Sequence, residues 1–559
     1  MNEASAPPPR RWDPPPTFPV HWEDPADATL WWTHETEHAS PLVLPCQVVQ
    51  RHWIGDGMVH AARLYGAPLA GRRGQRLNTY WYDAMLPLDV PPDEVARLAR
   101  EGEAIKAERS EALATWWEER WRPELDGLLA YWAEADPDRM DDAALAAWLE
   151  QSRDPFRRIW EIHFELVFCL FPTLRTFDDH CRDLFGADDD PITGQELLVG
   201  EENATLSGAL ALWDVSRQLL QHPQTLVALE APTATAALVQ LAATPGGEAV
   251  AAALGDWLTR YGQRPDERRE ALGANWDEDP TVPLAMLRAY GQATTPHPLD
   301  AWRRRRAERD ARTAEARQRL ADYPAAVRAA FEDLLTRARY ATRLAEDHNF
   351  HLDQKSFYWH RRAVMAAGRR LAARGCLDQP ADVVFLALPD IVSALATGEP
   401  SPGALRRQVA AERANLARWA TVDPPEHLGT EPPVGPAVVL PPIAGTAEGP
   451  WQGVPASPGI VRGRARVAPA LGEASAVEPG EILVTTTTNP AWSPLFAILG
   501  GLVTTLGSAL SHGAIVAREF GLPAVVAVAG ATSHIKTGDW LELDGSSGTV
   551  TPVAAPTGR

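Results

Sequence analysis

The chain has 559 residues, more than one hydrophobic core usually organises, so about two to four domains are expected. Hydrophobic residues make up 45% and charged residues 23%, and no run of about eighteen uncharged apolar residues occurs, which excludes a predicted membrane span and favours a cytoplasmic globular protein. The net charge of −21 disfavours nonspecific binding to nucleic acid or anionic lipid, because the overall field repels phosphate polymers.

The first segment is rich in proline and lacks the apolar core of a signal peptide. Its sequence, MNEASAPPPRRWDPPPTFPV, predicts a disordered arm over residues 1–20.

The four cysteines lie far apart and form no Cys-x-x-Cys pair. This spacing favours ordinary buried thiols in a reducing compartment over a zinc site.

Helical periodicity dominates residues 21–420. The segment PPDEVARLAREGEAIKAERSE places apolar residues at three- and four-residue steps after a Pro-Pro-Asp-Glu start signal. The longest helix is expected between Pro324, in its first turn, and Gly375, just after its end. Further helices are predicted at 141–185, 203–220, 232–262 and 283–291. Most of the tryptophans here are expected to be core, although paired indoles can also line a pocket for a flat organic molecule.

The pattern changes after residue 420. Repeated Pro-Pro and Gly over 421–452 predict a semi-rigid hinge linker. Beyond it, short apolar runs separated by Pro and Gly predict strands at 459–468, 481–488, 501–507, 523–528 and, as a hairpin, 539–553. One helix is predicted there, at 511–520. The predicted fold is therefore multidomain: a large, mostly α-helical region followed by a small C-terminal α/β domain over 453–555.

His512 begins the predicted C-terminal helix, directly after the loop LGSALS. Unpaired backbone N–H groups and the helix dipole favour an anion at this position, and they also favour the neutral imidazole that can attack phosphorus. Gly507 and Ser508 would let the backbone approach a phosphate, while Ser511 and Thr505 could donate hydroxyls; Ser511 could also cap the helix. The alternative is that His512 has only a structural role at the start of the helix.

The string LSHGAIVAREFGLPAVV resembles the phosphohistidine swivelling domain of the phosphoenolpyruvate-utilising enzymes. SPGIVRGRARV, GEILVTTTTNPAWSPLF and DWLELDGSSGTV follow the order of that domain. The resemblance implies that His512 accepts and passes on a phosphoryl group, beside the catalytic candidates Ser511, Arg518 and Thr505. It also implies a phosphate loop formed by Gly507, Ser508 and Gly513. Many relatives have Gly-Gly in place of Gly507-Ser508, and threonine in place of Leu510 or Ser511.

The helical region is similar to parts of the same family. WLTRYGQRPDERREALGANWDEDPTVPLAMLRAY and HRRAVMAAGRRLAARGCLDQPADVVFLALPDI resemble the acceptor-binding segment of rifampicin phosphotransferase and the His subunit of phenylphosphate synthase. A glycine-rich ATP-grasp segment is not found in residues 1–420, and the chain ends after the swivelling domain without the barrel that binds phosphoenolpyruvate in the synthase. The resemblance therefore implies that ATP and Mg²⁺ act through a separate ATP-grasp subunit.

The acceptor site is predicted in AEDHNFHLDQKSFYWHRR, residues 345–362. Polar residues recur there at three- and four-residue steps and would share one helix face: Asp347, His351, Lys355, Tyr358 and Arg362, with His348 beside them. A carboxylate or imidazole could take the proton of an acceptor hydroxyl, and the cations could offset phosphoryl charge. The alternative is a solvated stripe of ion pairs. His348 and His351 come without a convincing third ligand, so no metal site is predicted.

These features together predict a phosphotransferase component. It would carry a phosphoryl group on His512 from an ATP-grasp partner to a hydroxyl of an organic, aromatic or hydrophobic substrate. Two alternatives stay open: an ATP-driven dehydratase that uses a phosphorylated intermediate, and a non-catalytic binding or regulatory protein that retains the swivelling fold.

Overall fold

The computed structural model describes residues 10–35, 42–264, 274–293, 298–431, 449–474, 476–509 and 511–555. The chain divides into two compact units. The first comprises Met1–Cys169, Arg268–Gly273 and Lys355–Val439, and the second comprises Leu170–Glu267, Ala274–Gln354 and Leu440–Arg559.

The second unit joins helical residues to the C-terminal residues, a grouping that differs from the predicted regions 21–420 and 453–555. The physical reason is a shared core, because Trp213 and Tyr290 of the helical part belong to one buried cluster with Leu495, Phe496 and Ala517. Burial of this apolar surface is what associates the two stretches.

A five-stranded antiparallel sheet lies in the first unit, where the helical periodicity predicted no strand. Its strands, in spatial order, are Arg11–Trp12, His427–Thr430, Trp31–His34, Tyr80–Pro87 and Leu69–Leu77. The last two form a hairpin whose turn residues, Asn78 and Thr79, both have positive φ. That turn geometry usually carries Asn-Gly, and an Asn-Thr pair in a polar segment gives no comparable sequence signal.

The prediction of a disordered arm is wrong for residues 10–20. Arg11 and Trp12 pair with the strand His427–Thr430, and Phe18 is fully buried beside Tyr80 and Trp419. The aromatic residues of this proline-rich segment supply enough buried apolar surface to order it. Residues 1–9 lie outside the described residues.

The predicted hinge linker, 421–452, contains strands near its two ends, His427–Thr430 and Trp451–Gln452. Its central part, 432–448, lies outside the described residues. The hinge therefore stays a prediction.

The helices of the first unit confirm the predicted helical character of much of this sequence. They are Pro45–Leu64, Pro92–Glu111, Leu113–Trp116, Arg122–Ala133, Asp142–Gln151, Lys355–Ala373, Leu388–Ala396 and Pro402–Trp419. Trp117–Trp121 is a π-helical turn, and Pro25–Thr29 and Pro380–Phe385 are 3₁₀ helices. The helix Arg153–Phe185 contains the boundary between the units.

The second unit contains a further set of helices before its C-terminal part. They are Gly194–Leu198, Ala204–Leu219, Gln224–Ala228, Ala234–Ala243, Gly247–Tyr261, Thr281–Gln292, Pro298–Arg319 and Ala325–His348, followed by the π-helical turn Asn349–Gln354. The predicted helix 232–262 is broken in two because Pro245 and the left-handed Gly246 interrupt it. Gly375, with φ of 71°, follows the end of Lys355–Ala373 as expected.

The C-terminal part is built on an eight-stranded sheet, as the predicted α/β fold requires. Its spatial order is Trp451–Gln452, Thr549–Pro552, Trp540–Asp544, Ile460–Val467, Ile482–Thr485, Gly501–Thr504, Ala524–Val526 and Val454–Ser457. The four strands from Ile460–Val467 to Ala524–Val526 are parallel, and the others pair antiparallel. The helices Leu471–Ala474, His512–Phe520 and Ala531–His534 and the 3₁₀ helix Pro490–Ala497 accompany the sheet.

Both faces of the parallel strands are buried, which explains their continuous apolar sequences. Leu483 belongs to the core shared with the helical part, while its neighbours Ile482 and Val484 belong to a second cluster on the other face. The loops that follow two of these strands, after Thr485 and Thr504, leave from the same edge of the sheet. In sheets of this kind ligands bind at the carboxyl edge, and this edge carries His512.

All four cysteines are buried, as predicted. Among the described helices, none combines the length and the apolar character that crossing a bilayer requires.

Candidate phosphohistidine site

His512 is the first residue of the helix His512–Phe520, which follows the strand Gly501–Thr504 after a loop whose described residues are 505–509 and 511. Gly507 in this loop has φ of 134°, a conformation that side-chain-bearing residues rarely adopt. Gly521, with φ of 63°, ends the helix in the left-handed conformation. The structure thus confirms the predicted glycine-containing loop and the short helix after it.

Ser511 occupies the N-cap position with extended backbone angles but does not cap the helix with its side chain. Its hydroxyl donates to the carbonyl oxygen of Ser508 at 2.8 Å, and its backbone N–H donates to the same oxygen at 3.0 Å. The predicted side-chain cap is therefore wrong, because the turn of the loop brings the Ser508 carbonyl closer to the hydroxyl than the helix N–H groups. Ser511 shapes the loop instead.

The imidazole of His512 is held from both sides within the second unit. Its Nδ1 lies 3.0 Å from the carboxylate of Glu346, and its Nε2 lies 3.1 Å from the Oγ of Ser493. The side chain of His512 is 14% exposed, while that of Glu346 is 2% exposed. We call these three residues the His512 cluster.

The electrostatics of Glu346 determine the hydrogen bonds of the ring. Burial acts to raise the pKa of Glu346, but the charge and hydrogen bond of His512 outweigh it and hold that pKa below its usual value. An ionised carboxylate can only accept a hydrogen bond, so Nδ1 carries a proton; when the ring is neutral, Nε2 therefore accepts from the Ser493 hydroxyl. A neutral ring of this tautomer has its nucleophilic lone pair on Nε2.

Arg518 supports the loop in this structure and does not point its guanidinium at the ring. Its Nη1 donates to the carbonyl oxygen of Ala456 and its Nη2 to that of Ala509, each at 2.7 Å. Burial lowers the pKa of Arg518 to about 10, against the opposing charge of Glu519, so the group stays cationic at neutral pH. The observed contacts make it a positioning residue, and its predicted catalytic role stays a prediction.

The remaining loop residues surround the start of the helix. The hydroxyl of Thr505 is buried and has no hydrogen-bond partner within the described residues. A Cβ at Gly513 would collide with Oγ1 of Thr488, so only glycine permits this close approach. Gly507 would bring a Cβ to 3.1 Å from Oγ of Ser511. The loop is compact at the residues where a phosphate loop was predicted.

Asp347 and His348 follow Glu346 but are engaged elsewhere. Asp347 accepts from the backbone N–H of Ala204 at 2.8 Å and from Nε of Arg343 at 2.9 Å, and burial raises its pKa. Nδ1 of His348 lies 2.8 Å from the carbonyl oxygen of Leu344, which is in the same helix. Their predicted roles at an acceptor stay predictions.

The stripe from Asp347 to Arg362 contains the π-helical turn Asn349–Gln354, within which His351 lies. Residue spacing of three and four places side chains on one face only in a continuous α-helix, so the argument for a single face is wrong. The prediction failed because the sequence pattern does not reveal the wider π-turn.

Lys355, Tyr358 and Arg362 belong to the first unit. Burial, together with the charge of Arg122, lowers the pKa of Lys355. Nη1 of Arg362 donates to the Tyr358 hydroxyl at 3.3 Å, and its guanidinium lies 5.0 Å from the ring centre of Trp359. The guanidinium of Arg362, which was expected to offset phosphoryl charge, therefore contacts Tyr358 and Trp359 in this structure.

A cavity of about 380 Å³ is lined by residues of the two helices that carry His512 and Glu346, although neither of these two residues lines it. Its walls include the following residues: Leu174, Leu198, Val199, Thr342, Ile515 and Glu519. Ile515 and Glu519 follow His512 by three and seven residues and so share its helix face, and Thr342 precedes Glu346 by four. The cavity therefore lies along the helices His512–Phe520 and Ala325–His348.

Glu519 contributes a buried acid to this cavity. Its side chain accepts from the backbone N–H of Gly200 at 2.8 Å. Burial raises the pKa of Glu519 to about 8, although the Gly200 hydrogen bond and the charge of Arg518 oppose the shift. At neutral pH this carboxyl group is mostly protonated.

Sequence reasoning missed Glu346 and Ser493. Glu346 lies within residues 345–362, the predicted acceptor segment. The three- and four-residue spacing of polar side chains begins at Asp347, so this spacing does not include Glu346. Ser493 lies in the short Asn-Pro-Ala-Trp-Ser-Pro run, which was read only as part of a resemblance. No spacing rule relates either residue to His512, so only the folded chain identifies them.

Two family models match the chain. Residues 477–548 match the mobile domain of phosphoenolpyruvate-utilising enzymes, and residues 167–346 match the fourth domain of rifampicin phosphotransferase. The first match contains His512 and the second ends at Glu346. The resemblance inferred from the sequence is thereby confirmed.

Curated relatives share substantial sequence identity with this chain. It is 36% identical over 564 residues to the chondramide synthase of Chondromyces crocatus, covering 96% of this chain and 14% of that protein. It is 32% identical over 359 residues to a rifampicin phosphotransferase of Streptomyces sviceus, covering 62% and 39%. It is 34% identical over 308 residues to the prodigiosin synthesizing transferase of Serratia marcescens, covering 53% and 32%. The chain spans less than half the length of each of these relatives.

Proposed function

We propose that this chain, with its mobile-domain and acceptor-domain segments, is the part of a phosphotransferase that carries a phosphoryl group on Nε2 of His512 to an organic hydroxyl. The observation that supports this proposal is the orientation of His512, with Nδ1 against an ionised carboxylate and Nε2 beside a hydroxyl. The ring is thereby prepared for attack through Nε2.

The first step charges the histidine. Nε2 attacks a phosphorus atom of ATP bound to an ATP-grasp partner; the N–P bond forms as the P–O bond breaks and its electron pair leaves with the nucleotide. ATP and Mg²⁺ belong to that partner, and the metal would offset phosphate charge there. In this step the chain contributes the nucleophile.

In the second step the phosphoryl group passes from His512 to the acceptor hydroxyl. The acceptor oxygen attacks phosphorus, the N–P bond breaks with its electron pair returning to Nε2, and the hydroxyl proton is released to solvent. Glu346 keeps the proton on Nδ1, so imidazole departs as a neutral group rather than as an anion. This role requires the short contact observed between Glu346 and His512.

We propose that the acceptor binds in the cavity of about 380 Å³ along the helices that carry His512 and Glu346, a volume in the range of small-molecule sites. Leu174, Leu198, Val199 and Ile515 would contact an apolar body, and the protonated Glu519 could donate a hydrogen bond. Two relatives carry the names of organic compounds, rifampicin and prodigiosin, which favours an organic acceptor.

The two steps need two positions of the C-terminal part. Donor and acceptor sites both exclude water, so His512 has to leave Glu346 to meet the ATP-grasp partner. The predicted hinge over 421–452 would allow this movement. The Glu519–Gly200 hydrogen bond would break with it.

The test is transfer of radiolabel. The chain is mixed with an ATP-grasp protein encoded by a neighbouring reading frame and with β- or γ-labelled ATP. Acid-labile, alkali-stable label is expected on wild type and on His534→Ala, a control at an exposed histidine of the same region, but not on His512→Ala. Equal labelling of His512→Ala, or an unlabelled wild type, would overturn the proposal.

The same reaction separates the dehydratase alternative. A phosphotransferase yields a phosphorylated organic product, whereas a dehydratase releases inorganic phosphate and a dehydrated product.

A further inference from the structure

Arg264 is the most deeply buried arginine side chain near the His512 cluster. It is 1% exposed, and its Cζ lies 5.9 Å, 5.5 Å and 5.1 Å from the ring centres of Tyr261, Trp276 and Phe350. Aromatic faces attract a cation, but they accept no N–H hydrogen bond of ordinary strength. The three aromatic rings therefore stabilise the positive charge of Arg264 and leave its N–H donors available for hydrogen bonds.

Most of the donors of Arg264 are unused. Nη1 makes one long hydrogen bond, 3.4 Å, to the carbonyl oxygen of Pro490. Nε and Nη2 are buried without a hydrogen-bond partner, and no carboxylate forms an ion pair with Arg264 within the described part of the chain. Buried unpaired cations are costly, so a site that leaves one open is expected to receive an anion.

The position of Arg264 connects it to His512. Pro490 begins the 3₁₀ helix Pro490–Ala497, and Ser493 of that helix contacts Nε2 of His512. Burial lowers the pKa of Arg264 to about 10, while the charge of Glu346 opposes the shift. Arg264 is therefore cationic at neutral pH and lies close to the carboxylate that holds Nδ1.

We propose that Nε and Nη2 of Arg264 bind oxygens of the phosphoryl group on Nε2 of His512 while this residue contacts Glu346. The inference rests on the proposed function and adds the residue that recognises the phosphoryl group at the acceptor side. A guanidinium presents two parallel N–H donors that match two phosphate oxygens.

The chemistry gives this cation a specific task. Glu346 is needed on Nδ1, but its negative charge repels the phosphoryl oxygens. Arg264 offsets that repulsion and stabilises the charge that builds up as the N–P bond breaks. It exchanges no proton and forms no covalent bond.

Inorganic phosphate is the probe for this site, titrated into the full chain by calorimetry. Wild type is expected to bind phosphate, and Arg264→Gln is expected to bind it at least about tenfold more weakly, since two charge-assisted hydrogen bonds are lost. Arg217→Gln is the matched control: Arg217 donates to the Tyr290 carbonyl oxygen and lies 4.3 Å from the Trp213 ring centre, and within the described residues it forms no hydrogen bond with His512, Glu346 or Ser493. Its phosphate affinity should equal that of wild type.

Two further variants keep the test decisive. Arg264→Lys retains the charge but not the paired donors, so its affinity should fall at least about threefold even if Arg264→Gln fails to fold. His512→Ala should still bind phosphate, because Arg264 remains. Phosphate should also raise the melting temperature of wild type, and less so that of Arg264→Lys.

The outcomes separate the two proposals. No phosphate binding to wild type, or unchanged affinity in the Arg264 variants, overturns the inference. Arg264-dependent phosphate binding together with an unlabelled His512 supports the phosphate site and overturns the carrier function alone.

Discussion

Each unit contains a pair of histidine and buried glutamate among its described residues, and the surroundings of the two pairs differ. In the first unit Glu165 is 3.2 Å from Nε2 of His60, 2.6 Å from Nη1 of Arg109 and 2.9 Å from Nη1 of Arg158. Burial acts to raise the pKa of Glu165, but His60 and the arginines outweigh it and lower that pKa to about 2. Every charge in this group has a partner.

In the second unit Glu346 contacts His512, and among the described residues no arginine forms an ion pair with it. The nearby Arg264 keeps two donors without partners instead. Both glutamates have lowered pKa values, so a perturbed pKa does not distinguish a structural cluster from a functional one. Among the described residues the difference lies in unused hydrogen-bond donors: Arg264, near the His512 cluster, has two buried ones, whereas Arg109 and Arg158 beside Glu165 have none.

The largest expected effect tests this difference directly. Glu346→Gln should slow the hydrolysis of isolated phosphohistidine protein at pH 7 by about a hundredfold, because the proton on Nδ1 is no longer held by a charge. Glu165→Gln, the matched substitution in the first unit, should leave the rate unchanged. The measurement is the decay of acid-labile label, and equal slowing in both variants would contradict the assignment.

The free energy of unfolding should show the reverse order of effects, with a larger loss for Glu165→Gln than for Glu346→Gln. Glu165→Gln should lower the free energy of unfolding by about 3 kcal/mol at pH 7, since Arg109 loses its carboxylate partner. Glu346→Gln should cost about 1 kcal/mol. Urea unfolding checks both values, and a larger loss for Glu346→Gln would make the His512 cluster a structural one.

A third buried glutamate, Glu519, should make the stability of the protein depend on pH in the opposite direction to Glu165. Its folded pKa of about 8 exceeds the unfolded value, so the folded state binds an extra proton between pH 5 and 8, and stability falls as pH rises through that range. Glu165, whose pKa is depressed to about 2, has the opposite sign: its contribution is present above the unfolded pKa and is lost as pH falls towards 2.

Glu519→Gln should therefore flatten the stability profile between pH 6 and 8 by about 2 kcal/mol. Arg518, Glu201 and Glu346 are the charged groups that act on Glu519 and stay unchanged in this variant. Thermal unfolding across that range is the measurement. A profile parallel to that of wild type would show that Glu519 is ionised in the folded protein.

The smallest effect is expected at Ser511. Because its hydroxyl bonds the Ser508 carbonyl and not a helix N–H, Ser511→Ala should cost less than about 1 kcal/mol and should leave labelling of His512 within about twofold of wild type. A loss of labelling as large as that of His512→Ala would show that the hydroxyl acts on the phosphoryl group.

Local patterns predicted the immediate surroundings of His512 well. The strand before it, the loop with Gly507 and the helix, predicted at 511–520 and observed at His512–Phe520, follow from apolar runs and from turn residues. The hairpin Leu69–Pro87 and the π-turn Asn349–Gln354 were not predicted. Their signals are weak because an Asn-Thr turn and one extra residue per turn leave residue composition almost unchanged.

The sequence by itself determined the secondary structure of the C-terminal part and the identity of its histidine, since turn chemistry and apolar period act over a few residues. Only the tertiary structure decided the partners of that histidine. Glu346 precedes His512 by 166 residues, Ser493 lies in the 3₁₀ helix Pro490–Ala497, and Arg264 follows the helix Gly247–Tyr261. Those contacts arise because one apolar core joins the helical stretch to the sheet, and no short-range pattern in the chain encodes that association.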